Sequence, residues 1–261
     1  MERKFIAVKD KTTVVIAGLG EIGKPLFDTV ADFYDVVGVD VSPFERIDQA
    51  QILHVCYPFQ IKDFVGETAR YIDLFKPTLT IINSTVAVGT TREIAERTGA
   101  AVVNSPVRGK HARMREELRL YTKFVGALDP NAGEQAAKHF QSLGIKTAIL
   151  SSPEATELAK LTETTYFGVM IAWAQEVERY CDRWGQNYEE VVSFYDEIDF
   201  FPRAKYFPGA IGGHCVMPNI DILSQSYRSV VLQAIRTSNE MKIERDTYRQ
   251  DDANVVTEGV A

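Results

Sequence analysis

Cys215 stands where a thiol can meet a ligand. It follows the glycine-rich turn Pro208-Gly209-Ala210-Ile211-Gly212-Gly213-His214, and glycines let backbone and ligand approach closely. A thiolate is a strong nucleophile toward a carbonyl carbon. Lys160, in Glu157-Leu158-Ala159-Lys160, offers an ammonium that would neutralise a developing oxyanion. A third segment, Asn83-Ser84-Thr85-Val86, ends an apolar run with hydroxyls, at the strand end where open α/β sheets hold ligands. Each has a plain alternative. A lone Cys is commonly a small buried hydrophobe, Glu157 and Lys160 are spaced as a solvated i,i+3 pair, and Ser84-Thr85 would cap a helix.

The strongest binding signal lies near the N-terminus. Val14-Val15-Ile16-Ala17 runs into Gly18-Leu19-Gly20-Glu21-Ile22-Gly23 and then into residues at helical spacing. This strand, G-x-G-x-x-G and helix form a dinucleotide motif. Gly18 permits the tight turn, Gly20 admits a pyrophosphate against the backbone, and Gly23 lets helix and strand pack closely. The phosphates would rest on the helix N-terminus, whose N–H groups carry partial positive charge. Asp40 closes the next strand 22 residues after Gly18, the place of an acid that bonds a ribose 2′-hydroxyl and repels a 2′-phosphate, so NAD is expected rather than NADP. Glu21 reads as solvated. The alternative is a glycine-rich turn with Asp40 as a helix cap or surface acid.

These residues need a scaffold. Apolar runs at 13–17, 36–39, 52–57, 78–83, 101–104, 122–126 and 147–150 alternate with helical spacing at 22–33, 61–74, 90–98 and 132–143. That pattern predicts an α/β, Rossmann-type doubly wound parallel sheet. Pro153 opens a helix through residue 184, about 45 Å long at 1.5 Å per residue. Its apolar stripe, widened by Tyr166, Phe167, Met170, Ile171, Trp173 and Ala174, is broader than one sheet domain would cover, so a homodimer is expected through it. Helices at 188–194 and 221–244 complete an all-α domain built on that long central helix. The expected divisions are a dinucleotide-binding domain at 1–150, a helical substrate and dimerisation domain at 151–250, and a flexible tail at 251–261.

Composition sets the bounds. The chain has 261 residues, 45% hydrophobic and 25% charged, which excludes disordered and fibrous classes. A net charge of −7 argues against a nucleic-acid surface. Residues 1–13 are too charged for an export signal, and no segment approaches the roughly 18 uninterrupted apolar residues of a membrane span. Cys56, Cys181 and Cys215 have neither disulfide-framework nor zinc spacing, so no metal is expected and a cytoplasmic location is.

Taken together, GLGEIGKP (18–25), NSTVAVGTT (83–91), NSPVRG (104–109), ATELAKLTETTYFGVMIAWAQE (155–176) and PGAIGGHC (208–215) resemble the UDP-glucose/GDP-mannose dehydrogenase family. Its members oxidise the C6 alcohol of a nucleotide sugar to a carboxylate, and the GGHC form is most similar to the N-acetyl-hexosamine branch. The resemblance implies that Cys215 attacks an aldehyde to give a thiohemiacetal, which loses a second hydride to become a thioester. It implies that Lys160 stabilises the oxygen anion and that Thr85 helps place water. It implies NAD contacts from Gly18, Gly20, Glu21, Ile22, Gly23, Asp40, Tyr57 and Thr85, and substrate contacts from Arg108, Lys160, Thr164, Gly213 and His214.

The sequence departs from the family at chemical positions. Val107 replaces the glutamate of Ser-Pro-Glu, Thr164 the asparagine four residues after the lysine, and Asn219 the aspartate four residues after the cysteine. Valine and an amide cannot take a proton from water at neutral pH, so hydride transfer is better preserved than hydrolysis. Asp221, Glu163, His111 and His214 are candidate replacement bases. The family's additional α/β domain, which grips the nucleotide, does not follow the helical segment, which implies a smaller substrate, a subunit-interface site or a separate chain in that role. Arg108, Lys110, His111, Arg113 and Arg115 form a basic run suited to a phosphate or carboxylate, or else a solvated helix start offset by Glu116 and Glu117. Arg203 resembles the family arginine that reaches a partner subunit's site.

The leading expectation is an NAD-dependent oxidoreductase acting on an alcohol of an anionic substrate, a sugar nucleotide or sugar phosphate. The alternatives are an NAD-binding regulatory or scaffold protein without turnover, and a two-electron β-hydroxyacid-type dehydrogenase, which needs no cysteine.

Overall fold

The computed structural model describes residues 10–40, 49–109, 113–199, 207–213, 215–226 and 228–258, without the side chains of 10, 11 and 249–258. Lys110, His111, Arg203 and His214 lie outside them. The chain divides into two compact units, Met1–Lys160 and Leu161–Ala261.

The first unit is a seven-stranded sheet. Its strands are β1 (Asp10–Ala17), β2 (Tyr34–Val39), β3 (Ile52–Val55), β4 (Leu79–Ile82), β5 (Val102–Asn104), β6 (Lys123–Ala127) and β7 (Thr147–Leu150), in the order β2-β1-β3-β4-β5-β6-β7. The helices are α1 (Gly23–Val30), α2 (Phe64–Phe75), α3 (Thr90–Thr98), α4 (Met114–Leu120) and α5 (Pro130–Ser142). One apolar cluster, with Ile16, Leu26, Ile81, Val103 and Phe140, fills one face of the sheet; another, with Val15, Leu53, Phe64, Ile82 and Ile94, fills the other. Every residue of β4, Leu-Thr-Ile-Ile, is buried, as a central strand covered on both faces must be.

Two features of this topology position a site. The chain runs outward from β1 to β2 and returns past β1 to β3, with Val14 opposite both Val36 and Ile52. The order reverses there, which opens a crevice beyond the carboxyl ends of β1 and β3. The second feature lies within this mostly parallel sheet: β6 runs antiparallel to β5, Val103 opposite Ala127 and Asn104 opposite Gly126. The first residue of β6, Lys123, is thereby carried to the carboxyl edge of the parallel strands.

In the second unit, α6 (Pro153–Trp184) continues from the first, the unit boundary falling after Lys160. It is followed by α7 (Tyr188–Ser193), a 3-10 turn (Phe194–Glu197), α8 (Val216–Ser224) and α9 (Val230–Glu258). The single helix expected at 221–244 is two helices. Ser229 ends the break by accepting from Leu232 N through Oγ (3.3 Å), as an N-cap does. Gly168 is where α6 and α8 meet closely, since a Cβ there would lie 2.8 Å from Val216 Cγ1. Among the described residues no helix is long and apolar enough to cross a membrane.

Candidate functional site

The glycine loop has the shape its sequence requires. Gly18 has φ +88°, and a Cβ there would stand 2.6 Å from Tyr57 N; a Cβ on Gly23 would stand 1.7 Å from Gly18 O. Both positions therefore exclude any side chain. Gly20 has nothing within 4 Å of an added Cβ, so its exposed backbone is open to a ligand at the start of α1. An open, glycine-lined helix N-terminus at the point where strand order reverses fits a dinucleotide pyrophosphate. Asp40 reaches the same loop, its Oδ2 accepting from Leu19 N (3.1 Å). Glu21 is exposed. Ile22 packs against the core cluster, so its side chain faces inward rather than toward a ligand.

A chain of side-chain contacts connects this loop to its neighbours. Tyr57, backed by Gly18, has its carbonyl bonded by Ser84 Oγ (2.6 Å) and its hydroxyl bonded to Thr68 Oγ1 (2.6 Å). Ser84 and the half-buried Thr85 belong to a loop pinned at both ends. At the far end, Glu157 of α6 accepts from Gly89 N (2.7 Å), Thr91 N (2.9 Å) and Thr91 Oγ1 (2.6 Å). The carboxylate thus caps α3, whose first N–H groups have no partner inside the helix, and the i,i+3 alternative for Glu157 gives way to this tertiary role. Burial raises the pKa of Glu157, against the lowering effect of those bonds.

At the near end the loop is held by residues that sequence reasoning left without a role. Asn83 is fully buried, and its Oδ1 accepts from Lys123 Nζ (3.1 Å). Lys123 Nζ also donates to the Ser105 carbonyl. Asn83 Nδ2 donates to His54 Nδ1 (3.0 Å), and His54 Nε2 lies 2.9 Å from His139 Nε2. Because an amide NH2 only donates, His54 Nδ1 accepts and its Nε2 carries the proton offered to His139. Burial pushes His139 down to about 4, lowers His54 as well, and pushes Lys123 down to about 7. Burial also pushes the neighbouring Cys56 thiol up to about 12, leaving it inert. The signal in the sequence was a lone lysine at the second position of the strand expected at 122–126.

Lys160 and Arg108 lie within electrostatic reach of Lys123, so three cations gather in the first unit. The guanidinium of Arg108 stands 4.9 Å from the Phe124 ring centroid and 5.9 Å from that of Tyr121, within the range of cation–π attraction. The rest of the basic run is structural where it is described: Arg113 pairs with Glu117 (2.9 Å) and Arg115 with Asp32 (3.1 Å). Val107 is buried in the apolar core.

In the second unit Cys215 is exposed, is not in a disulfide, and occupies the N-cap position of α8. The positive end of that helix dipole adjoins its sulfur. Two buried amides hold the turn before it. Asn239 Oδ1 accepts from Ile211 N (2.6 Å) while its Nδ2 donates to Ile211 O (3.1 Å), and Gln175 Nε2 donates to Gly209 O (2.8 Å). Gly213 adopts φ +78°. Two of the altered family positions meet, Asn219 Nδ2 donating to Thr164 Oγ1 (2.9 Å) and Thr164 Oγ1 to Leu161 O (3.1 Å). Asp221 is paired with Arg236.

Residues 154–242, which carry α6 from its second residue, α7, α8 and the first part of α9, match the model of the UDP-glucose/GDP-mannose dehydrogenase family, central domain. That stretch of the chain is therefore similar to the central domain of this family. Among the similar proteins is a UDP-N-acetyl-D-mannosamine dehydrogenase of Methanocaldococcus jannaschii, 24% identical over 87% of this chain and 64% of its own. The chain thus spans just under two thirds of that family member's length. Its fold is similar to that of a UDP-D-ManNAc dehydrogenase from Pyrococcus horikoshii, with TM-score 0.78 and 21% identity over 95% of this chain and 71% of the other. It is also similar to a 3-hydroxyisobutyrate dehydrogenase from Mycobacterium tuberculosis, outside the family by name, with TM-score 0.69 and 15% identity over 91% of this chain and 94% of the other.

Proposed function

We propose that the chain is an NAD-dependent oxidoreductase that oxidises an alcohol of an anionic substrate, a sugar nucleotide or sugar phosphate. The observation that carries this reading is the first unit's carboxyl edge. There a glycine loop shaped for a pyrophosphate and the Thr85 loop are joined through Tyr57 and Ser84, and Arg108, Lys123 and Lys160 gather positive charge. NAD, when bound, accepts hydride from the substrate carbon. Gly18, Gly20 and Gly23 admit its phosphates and Asp40 its ribose. Arg108 holds the substrate's anionic group, and Lys160 stabilises the alkoxide formed as the alcohol loses its proton. Cys215 adds to the resulting aldehyde: the C–S bond forms as the C=O π bond opens, and the thiol proton passes to the former carbonyl oxygen to give the thiohemiacetal.

The hydrolytic half is the altered part. Asn219 and Thr164 form a neutral pair and Val107 is committed to the core, so none of the three takes a proton from water. This favours a second reading, in which oxidation stops after one hydride and the aldehyde is released. The full-length similarity in fold to a 3-hydroxyisobutyrate dehydrogenase is consistent with a two-electron enzyme on such a scaffold. A homodimer is proposed through the exposed aromatic side of α6, where Tyr166, Phe167, Trp173, Tyr180 and Trp184 are all at least 42% accessible, an apolar surface of the kind that partners cover. A cytoplasmic location belongs to the same proposal.

The test is a panel of sugar nucleotides and sugar phosphates with NAD, following NADH and examining Cys215 for a covalent adduct by mass spectrometry. One NADH per substrate supports the two-electron reading, and two support full oxidation. Cys215→Ser separates them further, since only the thioester route needs sulfur. Full turnover in both Cys215→Ala and Lys160→Ala would refute the assigned roles. An NAD-induced rise in melting temperature without NADH from any substrate would favour a regulatory protein.

A further inference from the structure

Lys123 is costly where it stands. Its side chain is 4% exposed, and its ammonium bonds two neutral oxygens, Asn83 Oδ1 and the Ser105 carbonyl, with the Phe140 ring centroid 5.0 Å away. The titratable and charged groups that face it are Cys56 and His54 from β3 and its end, Arg108 from beyond β5, and Lys160 from α6. His139 of α5 lies behind His54. None is a carboxylate, so desolvation of the ammonium has no ion pair to offset it, and an apolar side chain of similar length would serve packing better. A buried charge kept against stability marks a functional position.

Its two acceptors show what it does. Beyond the paired ends of β4 and β5 the two chains stay together through Ser105 N to Ile82 O (2.8 Å) and Val107 N to Asn83 O (3.2 Å). Lys123 bridges the same two chains from the antiparallel strand. One of them leads into Thr85, the other into Arg108. We propose that Lys123 is a positioning residue of the carboxyl edge, whose ammonium fixes the loop bearing Thr85 and the loop bearing Arg108 so that both face the bound dinucleotide and the substrate anion. This rests on the dinucleotide reading given above and assigns a specific residue to the ordering of that site.

The experiment uses the full chain as wild type, Lys123→Met and Lys123→Arg, with thermal unfolding of the ligand-free protein and calorimetric titration with NAD. The Met variant is expected to melt at or above the wild-type temperature at pH 7 and to bind NAD at least tenfold more weakly. The Arg variant is expected to bind within threefold of wild type. Wild-type affinity should fall severalfold from pH 6 to pH 9 as the ammonium loses its proton, while the Met variant stays flat. Across that range His54 and His139 remain neutral and Cys56 remains a thiol. A merely structural lysine would lower the melting temperature and leave the pH profile of NAD affinity unmoved. NAD affinity within twofold of wild type in the Met variant overturns the proposal. If that variant does not fold, a flat wild-type profile between pH 6 and 9 overturns it instead. A wild-type protein that binds no NAD refutes the dinucleotide reading itself, a distinguishable failure that removes the basis of the proposal.

Discussion

Acid should loosen the sheet domain through His139 before it reaches the carboxylates. The ring lies between His54, Tyr34 and Phe140, with centroids 5.0, 5.2 and 5.7 Å away, and its Nδ1 is buried without a partner among the described residues. Burial holds its pKa at about 4, against an ordinary 6.5. A histidine with a depressed folded-state pKa is neutral in the fold, and the unfolded chain takes up protons first. Its contribution is fully present above about pH 6.5 and is lost as pH falls toward 4. The 2.5-unit gap between those two values corresponds to about 3.4 kcal/mol at the acid limit, and about 2 kcal/mol of it should be gone by pH 5. The assay is urea unfolding followed by circular dichroism at pH 7.5 and pH 5.0, for wild type and His139→Gln. The variant is less stable at pH 7.5, because His54 Nε2 loses its acceptor, by about 1–3 kcal/mol. Its further loss on acidification should be about 2 kcal/mol smaller than that of wild type. Equal losses in the two proteins would refute the inference that the ring is buried and neutral.

Two other perturbations have worked-out signs. Glu157→Ala leaves Gly89 N, Thr91 N and the Thr91 hydroxyl without their acceptor and should cost about 2–4 kcal/mol in urea unfolding, with Glu157→Gln recovering part of it; a loss below about 0.5 kcal/mol would mean water replaces the carboxylate. Thr80 is fully buried on β4 with a hydroxyl that has no partner among the described residues. Thr80→Val should therefore raise stability by about 1 kcal/mol, since it removes an unpaid desolvation, and a drop in melting temperature would show that the hydroxyl has a partner.

What could be read from the chain follows from the range of the forces involved. The glycine motif is legible because much of what it requires is local: Gly18 holds φ +88° and Gly23 stands against the Gly18 carbonyl, while the backbone that crowds Gly18 is that of Tyr57, just beyond the adjoining strand. The alternation of apolar runs with helical spacing gave the sheet and the long α6, because burial of a whole face leaves a period. Helix α4 left none, being only seven residues with two Arg and two Glu. The break between α8 and α9 was hidden by apolar spacing that continues across it, although Ser229 was a readable cap. The direction of β6 has no local signature, and without it Lys123 is simply a residue opening a strand.

The buried network is harder for a further reason. His54, Asn83, Lys123 and His139 come from β3, the end of β4, β6 and α5, separated by 29, 40 and 16 residues, and each looks ordinary beside its own neighbours. Only the antiparallel return of β6 sets the lysine against the amide, and only the amide's dual role fixes which imidazole nitrogen carries a proton. The same holds for Thr164 and Asn219. As isolated positions they are two separate departures from the residues that the resemblance implies, whereas their hydrogen bond makes them one neutral unit. Asn219→Asp alone would bury a carboxylate against the Thr164 hydroxyl, so its melting temperature is expected to fall below that of wild type, and adding Thr164→Asn, which supplies an amide donor beside it, should recover part of the loss.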